Sequence, residues 1–176
     1  MSFGIWILWN NTMTNQHLVG IIADTHDNRK AIQRSVELFN DRGADLVLHA
    51  GDLISPFTAW DFKKLTCKMI AVFGNNDGEK LGLFHLYREF GEISPGPRRL
   101  VFNERKIVLM HEPACLDEMT ASPKVDVIIY GHLHKVDIRE GKPLIINPGE
   151  GGGWLTDSCT AAILDTESMK VEVVTL

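Results

Sequence analysis

The sequence predicts an α/β fold in which two packed sheets are flanked by helices. The first half alternates strongly apolar segments with amphipathic ones, and the second half is rich in short strands joined by tight turns. The chain has 176 residues, of which 44% are hydrophobic and 23% charged. This length and composition suit one globular domain with a substantial core.

The first half reads as strand–helix repeats. Residues 18–23 form a nearly continuous apolar run, typical of a strand buried on both faces. Apolar residues then recur at helical spacing over 28–42, and Gly43 ends that helix. The elements expected next are a strand over 45–49, a helix over 55–65 that Ser55 and Pro56 open, a strand over 68–73 and a helix over 79–90.

The second half reads as hairpins with one short helix. Segment 91–97 is expected to be a loop, and the turn Asn103-Glu104 joins strands over 99–102 and 106–110. A helix over 115–121 precedes an apolar strand over 125–130. The remaining predicted strands are a hairpin over 136–139 and 143–146, then 160–164 and 170–174.

Charge and cysteine content exclude several function classes. The formal net charge of −5 gives no basis for general attraction to nucleic acid or to an anionic membrane. The three cysteines are odd in number, widely spaced and without a CxxC pair. Unpaired thiols of this kind are typical of the reducing cytoplasm, where we expect the protein to reside.

The N-terminal residues 1–16 are predicted to form a flexible extension to a single domain over 17–176. The apolar run over 5–9 is too short to span a bilayer, and no Lys or Arg precedes it as in a secretory signal. A second interpretation is an apolar arm that docks on a partner subunit. A homo-oligomer, such as a dimer, is therefore left open.

Candidate metal ligands follow the predicted strands. Asp24 and His26 end the first strand, and because residues two apart leave a strand on the same side, they can converge on one ion. Ligand sites in open α/β sheets collect at the carboxyl ends of strands. The complete candidate set is Asp24, His26, Asp52, Asn75, His111, His132 and His134.

The donor types point to two divalent cations. Neutral imidazole together with carboxylate and amide oxygens suits Mn²⁺, Zn²⁺ or Fe, and no thiolate takes part. Seven ligands are too many for one ion but suffice for two ions that share a carboxylate. Each motif alone is a weak indicator of a metal site, because a single GD or GxH usually marks a turn. The metal site is indicated by the ordered set DxH…GD…GNND…H…GHxH.

This ordered set resembles the calcineurin-like metallophosphoesterase superfamily, and with Asn147-Pro148-Gly149 it resembles the small single-domain phosphodiesterase branch of bacteria and archaea. The resemblance covers residue 18 to the C-terminus and implies a four-layer α/β/β/α sandwich of two mixed sheets. By similarity, one metal would be held by Asp24, His26, Asp52 and His134. The other would be held by Asn75, His111, His132 and the bridging Asp52.

The resemblance also implies an activity. The expected function is divalent-metal-dependent hydrolysis of a small phosphodiester, with attack by a hydroxide that bridges two ions. Mn²⁺ is the expected metal, with Ni²⁺, Zn²⁺ and Fe as alternatives. No membrane or nucleic-acid partner is expected.

Two positions depart from the family pattern. Many relatives have a histidine at position 76 that is thought to protonate the leaving group, whereas Asn76 cannot act as an acid at neutral pH. Asn76 and Asp77 are the candidate catalytic residues, with Asp77 expected to support the ligands rather than touch the substrate. Near His111, Pro113 replaces a second histidine and Glu112 adds negative charge.

Other residues stay open at this point. His49 is expected to pack or to support a ligand, Glu150 to support a ligand or be solvated, and Trp154 to line a pocket or pack under the glycine-rich turn.

Three other functions compete with a phosphodiesterase. A phosphomonoesterase of the same fold is one alternative, and a non-catalytic metal-binding scaffold is another. Retromer scaffolds that resemble the family have lost ligand histidines, whereas all seven ligand positions are intact here. A repair nuclease is disfavoured, because the chain has no room for the extra domains and no basic groove.

Overall fold

The computed structural model describes residues 7–8, 17–114, 116–121 and 124–176. Within these ranges twelve strands form two six-stranded sheets. The strands are β1 (Ile7–Leu8), β2 (Leu18–Ile22), β3 (Leu46–His49), β4 (Lys68–Val72), β5 (Gly91–Ser94), β6 (Arg98–Phe102), β7 (Arg105–Leu109), β8 (Val127–Ile129), β9 (Val136–Arg139), β10 (Leu144–Pro148), β11 (Thr160–Asp165) and β12 (Lys170–Thr175). The helices are α1 (Arg29–Asp41), α2 (Ala59–Phe62, after one 3₁₀ turn over Pro56–Thr58), α3 (Lys80–Tyr87) and α4 (Leu116–Thr120).

The first sheet has the strand order β12-β11-β2-β3-β4-β5. Its strands β2 to β5 run parallel, and β11 and β12 add an antiparallel edge. The helices α1 to α3 lie in the crossover connections that join these parallel strands.

The second sheet has the order β1-β6-β7-β8-β10-β9. The central strands β7, β8 and β10 are parallel, and the flanking pairs β6–β7 and β9–β10 are antiparallel hairpins. Both sheets are thus mixed, as the sequence resemblance implied.

Alternating side chains of the strands build three cores and therefore four layers. Val19, Ile21 and Leu48 face the second sheet and pack with residues such as Ile107 and Ile129 between the sheets. Side chains on the opposite face of the first sheet pack under α1 to α3. Side chains on the outer face of the second sheet pack with α4. The predicted α/β/β/α sandwich is confirmed.

The structure corrects the sequence prediction at one segment and trims two helices. Residues 91–94 were expected to be a loop, but they form β5, which pairs in parallel with β4. This edge strand buries only Ile93, so its sequence lacks an apolar pattern. The helix expected over 55–65 is the 3₁₀ turn with the short α2, and the one expected over 79–90 is confined to α3.

The N-terminal extension is described only at Ile7–Leu8, which pairs in parallel with β6 as Ile7 with Leu100 and Leu8 with Val101. Most of the predicted flexible extension lies outside the described residues. Cys67 and Cys159 are free thiols, and Cys115 also lies outside the described ranges. Within the described part of the chain, no helix has the length and apolar character needed to cross a bilayer.

Candidate metal centre

The seven candidate ligands come from loops at the carboxyl ends of five strands. The loops after β2, β3 and β4 supply those of the first sheet, and the loops after β7 and β8 supply those of the second. Five of the seven occupy the left-handed region, with φ of 52° at Asp24, 41° at His26, 60° at Asp52, 69° at His132 and 53° at His134. Such conformations are uncommon for residues other than glycine and cluster at functional sites.

One group of ligands surrounds Asp24. Asp24, His26, Asp52 and His134 each offer a donor atom, and these atoms all lie within 4.8 Å of one another. His26 Nε2 is 3.5 Å from Asp52 Oδ2, and His134 Nε2 is 3.6 Å from Asp24 Oδ1. The rings of His26 and His134 are neighbours, with centroids 5.1 Å apart.

A second group surrounds Asn75. Asn75 Oδ1 lies 2.7 Å from His111 Nε2 and 3.0 Å from His132 Nδ1. His111 Nε2 is also 3.5 Å from Asp52 Oδ2, and the rings of His111 and His132 are 5.1 Å apart. Asp52 therefore borders both groups, and the structure brings all seven predicted ligands together.

The imidazole orientations fit a cation. His111 Nδ1 lies 2.8 Å from the carbonyl oxygen of Ala50, to which it can only donate. In the neutral ring the lone pair then sits on Nε2, which faces the oxygens of Asn75 and Asp52. His26 Nε2 is buried without a hydrogen-bond partner among the described residues. A cation between these atoms would satisfy electron pairs that otherwise face one another.

Electrostatics at the cluster also favour a cation. Burial raises the pKa of Asp24 to about 8, and the neighbouring charges of Asp52, Glu150 and Asp77 act in the same direction, although the backbone N–H of His132 opposes them. Burial lowers the pKa of His26, which keeps this ring neutral. A bound cation would stabilise the ionised Asp24 carboxylate and accept the neutral imidazole as a ligand.

Close approach of the loops requires glycine at two positions. A Cβ on Gly74 would lie 2.1 Å from Asp52 Oδ1, and a Cβ on Gly51 would lie 2.6 Å from His111 Nδ1. Gly51 also has a φ of +96°. Glycine at these positions lets the loops after β3 and β4 approach each other and the ligand side chains closely.

The two candidate catalytic residues occupy different places. Asn76 lines a cleft beside His26 and His134. Its backbone N–H and its side-chain Nδ2 donate to the two carboxylate oxygens of Asp52 at 2.8 Å each. Asp77 is buried and accepts from the backbone N–H groups of Gly74, Asp52 and Ile54 at 2.7, 3.2 and 2.7 Å. Asn76 can therefore contact a substrate, whereas Asp77 holds the two ligand loops together.

His49 is buried behind the ligands, against residues that neighbour them in the chain. Its Nδ1 accepts from the backbone N–H of Gly51 at 3.1 Å, and its Nε2 lies 3.1 Å from Thr25 Oγ1. Burial lowers the pKa of His49 to about 3, so the ring is neutral. It fixes the loops that carry His26 and Asp52 and offers no free donor to an ion.

Sequence reasoning left Glu150 unassigned, and the structure gives it a definite place. Its side chain is buried, and its Oε1 is 3.2 Å from His134 Nδ1. It also accepts from the backbone N–H groups of Trp154, Leu155 and Thr156. The nearby carboxylate of Glu150 favours the His134 tautomer that carries its proton on Nδ1 and leaves Nε2 free to face Asp24. The available signal was its position, because it follows β10 at the same edge as the ligands.

Two clefts flank the centre. One, of about 470 Å³, borders His26 and His134 and is walled by Asn76, Trp154 and Leu155. The other, of about 350 Å³, borders Asn75 and His111 and is walled by Lys80 and Glu112 among others. A phosphoryl group at the ligands would have room for a substituent on either side.

Comparison with known proteins identifies relatives of this chain. The family model described as the calcineurin-like phosphoesterase superfamily domain matches residues 18–169. A phosphodiesterase of Methanocaldococcus jannaschii is 36% identical over 163 residues, which cover 90% of this chain and 98% of that protein. A probable metallophosphoesterase of Methanothermobacter thermautotrophicus is 29% identical over 168 residues, covering 89% and 91%.

A solved structure agrees with these sequence matches. The structure, described as a novel archaeal phosphodiesterase, superposes with a TM-score of 0.86 at 34% identity. The superposition covers 90% of this chain and 99% of the other. The residues that the family model matches include every loop that carries a candidate ligand.

Proposed function

The chain belongs to the calcineurin-like phosphoesterase superfamily and is a phosphoester hydrolase, and we propose that it is a divalent-metal phosphodiesterase with a two-ion centre. The observation that carries this proposal is the convergence of seven donor groups on both sides of Asp52, with rings oriented by Ala50 and Glu150. The M. jannaschii relative is a phosphodiesterase by name, which supports the diester as substrate.

The ligands divide into two sets. Asp24, His26 and His134 would hold one ion; Asn75, His111 and His132 would hold the other, and Asp52 would be common to both. Hard oxygens and neutral imidazoles without a thiolate favour Mn²⁺, with Ni²⁺, Zn²⁺ and Fe as alternatives. When bound, two such ions would neutralise phosphoryl oxygens and lower the pKa of a bridging water, so that hydroxide is available for in-line attack.

The charge around the centre favours a diester over a monoester. Asp27 and Glu150 line one cleft and Glu112 lines the other, whereas Lys80 is the one Lys or Arg among the described residues that line the two clefts. A diester carries one negative charge and a monoester nearly two, so the monoester meets more repulsion.

Proton supply to the leaving group is the second feature of the proposed mechanism. Asn76 stands beside Asp52 at the cleft and can donate a hydrogen bond but no proton. Good leaving groups, such as aryloxides, should therefore react faster than alkoxides, because they leave with little protonation.

Kinetics with Mn²⁺ test both the preference for a diester and the dependence of the rate on the leaving group. We expect kcat/KM for bis-p-nitrophenyl phosphate to exceed that for p-nitrophenyl phosphate. We also expect Asn76→His to raise the rate with alkyl leaving groups by more than the rate with aryl ones, and by up to about 100-fold if the histidine acts as a general acid. A wild-type preference for the monoester, with no leaving-group dependence in the variant, would favour the phosphomonoesterase alternative.

A further inference from the structure

A large aromatic side chain stands exposed beside the centre. Trp154 is 63% exposed and Leu155 is 76% exposed, yet both line the cleft that borders His26 and His134. An exposed ring is not unusual by itself, but this one lies beside the polar ligands of the centre, where it can contact a bound substrate.

The indole is fixed in place in spite of its exposure. Its Nε1 donates to the backbone carbonyl of His26 at 2.9 Å, and its backbone N–H donates to Glu150 Oε1 at 2.8 Å. Gly152 leaves room for the ring, because a Cβ there would lie 3.0 Å from Trp154 Cδ1. The ring is thus tied to the loop that carries His26, and the backbone that carries the ring is tied to the carboxylate beside His134.

We propose that Trp154 is a stacking platform for a flat aromatic substituent of the substrate, an aryl ring or a nucleobase. This inference rests on the proposed function and names the class of ester that the centre takes. An anchored ring costs little conformational entropy on binding, and stacking tolerates any aromatic ring.

The cleft favours a substituent of this size over a protein partner. Its volume of about 470 Å³ holds one ring beside a phosphoryl group, and it opens directly onto His26 and His134. Asn76, Glu150 and Trp154 line the same space, so a substituent of a phosphoryl group at the ligands would lie within reach of the indole.

Equilibrium binding of two unreactive diester mimics tests the platform. Diphenylphosphinate and dimethylphosphinate have the same charge and lack an ester bond, so that their affinities can be compared by calorimetry on the Mn²⁺-loaded protein. We expect the wild type to bind the diphenyl anion more tightly. Trp154→Ala should reduce the ratio of the two affinities by about tenfold, the loss expected for one stacking contact.

Two further variants separate stacking from structural effects. Trp154→Phe keeps a ring and should retain most of the affinity ratio, although it loses the hydrogen bond to His26. Trp60 on α2 has the same exposed fraction of 63%, and Trp60→Ala should leave the ratio unchanged. Because both anions need the same ligands, damage to the metal centre would lower both affinities and leave their ratio constant.

The outcomes distinguish this inference from the proposed function. An unchanged ratio in Trp154→Ala, with bis-p-nitrophenyl phosphate still hydrolysed by the wild type, would overturn the platform alone. An equal loss of ratio in Trp60→Ala would also overturn it. If Trp154→Ala lowers the affinity ratio but the wild type hydrolyses no diester, the result would contradict the proposed function and leave the platform standing.

Discussion

At the scale of single residues, the centre depends on groups that orient ligands without contacting an ion. The carbonyl of Ala50 fixes the tautomer of His111, and Glu150 faces Nδ1 of His134. Hydrogen bonds from Thr156 and from the backbone N–H groups of Leu155 and Thr156 outweigh the effect of burial and lower the pKa of Glu150. Glu150 is therefore ionised and attracts the Nδ1–H of His134.

The role of Glu150 gives the first prediction. We expect Glu150→Gln to weaken Mn²⁺ binding by about 10- to 100-fold, as is usual when the outer partner of a ligand histidine is changed. Glu89→Gln is the control, because Glu89 pairs with Lys63 on the exposed surface. Calorimetric Mn²⁺ affinities should differ between the two variants, and equal affinities would remove Glu150 from the centre.

At the scale of elements, the site depends on parallel strands that end at one edge. The ligands that follow β2, β3 and β4 could be found from the sequence because each strand is a mostly apolar run with a polar ligand shortly after its end. Edge strand β5 could not be found, since pairing with β4 stabilises it while only Ile93 is buried. Trp154 and Glu150 stayed open because their contacts cross between loops that are far apart in sequence.

The loop after β4 gives a prediction with an internal control. Gly74→Ala places a Cβ 2.1 Å from Asp52 Oδ1 and 2.4 Å from the Asp52 nitrogen, so the loop must move and metal binding should be lost. Gly78 lies four residues further along, where a Cβ would meet nothing within 4 Å. Gly78→Ala should retain Mn²⁺-dependent hydrolysis. Normal Mn²⁺ affinity in Gly74→Ala would show that the loop is not held as described.

The N-terminal extension gives a further prediction at this scale. Its described part, Ile7–Leu8, adds two residues to the edge of the second sheet beside β6. The ligands come from other strands, so deletion of residues 1–15 should spare activity with bis-p-nitrophenyl phosphate. If the truncated chain fails to fold or changes its oligomeric state in light scattering, the extension is structural, as the alternative of a docking arm requires.

At the scale of the whole molecule, the buried cluster couples stability to metal and pH. In the metal-free protein the pKa of Asp24 is about 8, far above that of an ordinary aspartate. Between pH 3.8 and about 8 the folded state thus holds a proton that the unfolded state has released, and stability falls as pH rises through this range. A cation reverses this effect, because it binds the ionised carboxylate in the native state alone.

The prediction concerns melting temperature. Mn²⁺ at about a hundredfold excess over its dissociation constant should raise the melting temperature by about 5–10 °C over an EDTA-treated sample. The difference should be larger at pH 8 than at pH 5.5, since the proton on Asp24 competes with the ion at low pH. A melting curve that neither EDTA nor Mn²⁺ moves would show that the cluster binds no metal.

The central claim, a phosphodiesterase centre of two ions that share Asp52, is tested most directly by counting metal and activity in the same samples. EDTA-stripped protein is titrated with Mn²⁺, and bound ions per chain and hydrolysis of bis-p-nitrophenyl phosphate are measured at each step. We predict that bound metal saturates near two ions per chain, that activity follows filling of the second site, and that Asp52→Ala abolishes both. Full activity at one ion per chain, or normal binding in Asp52→Ala, would contradict the account.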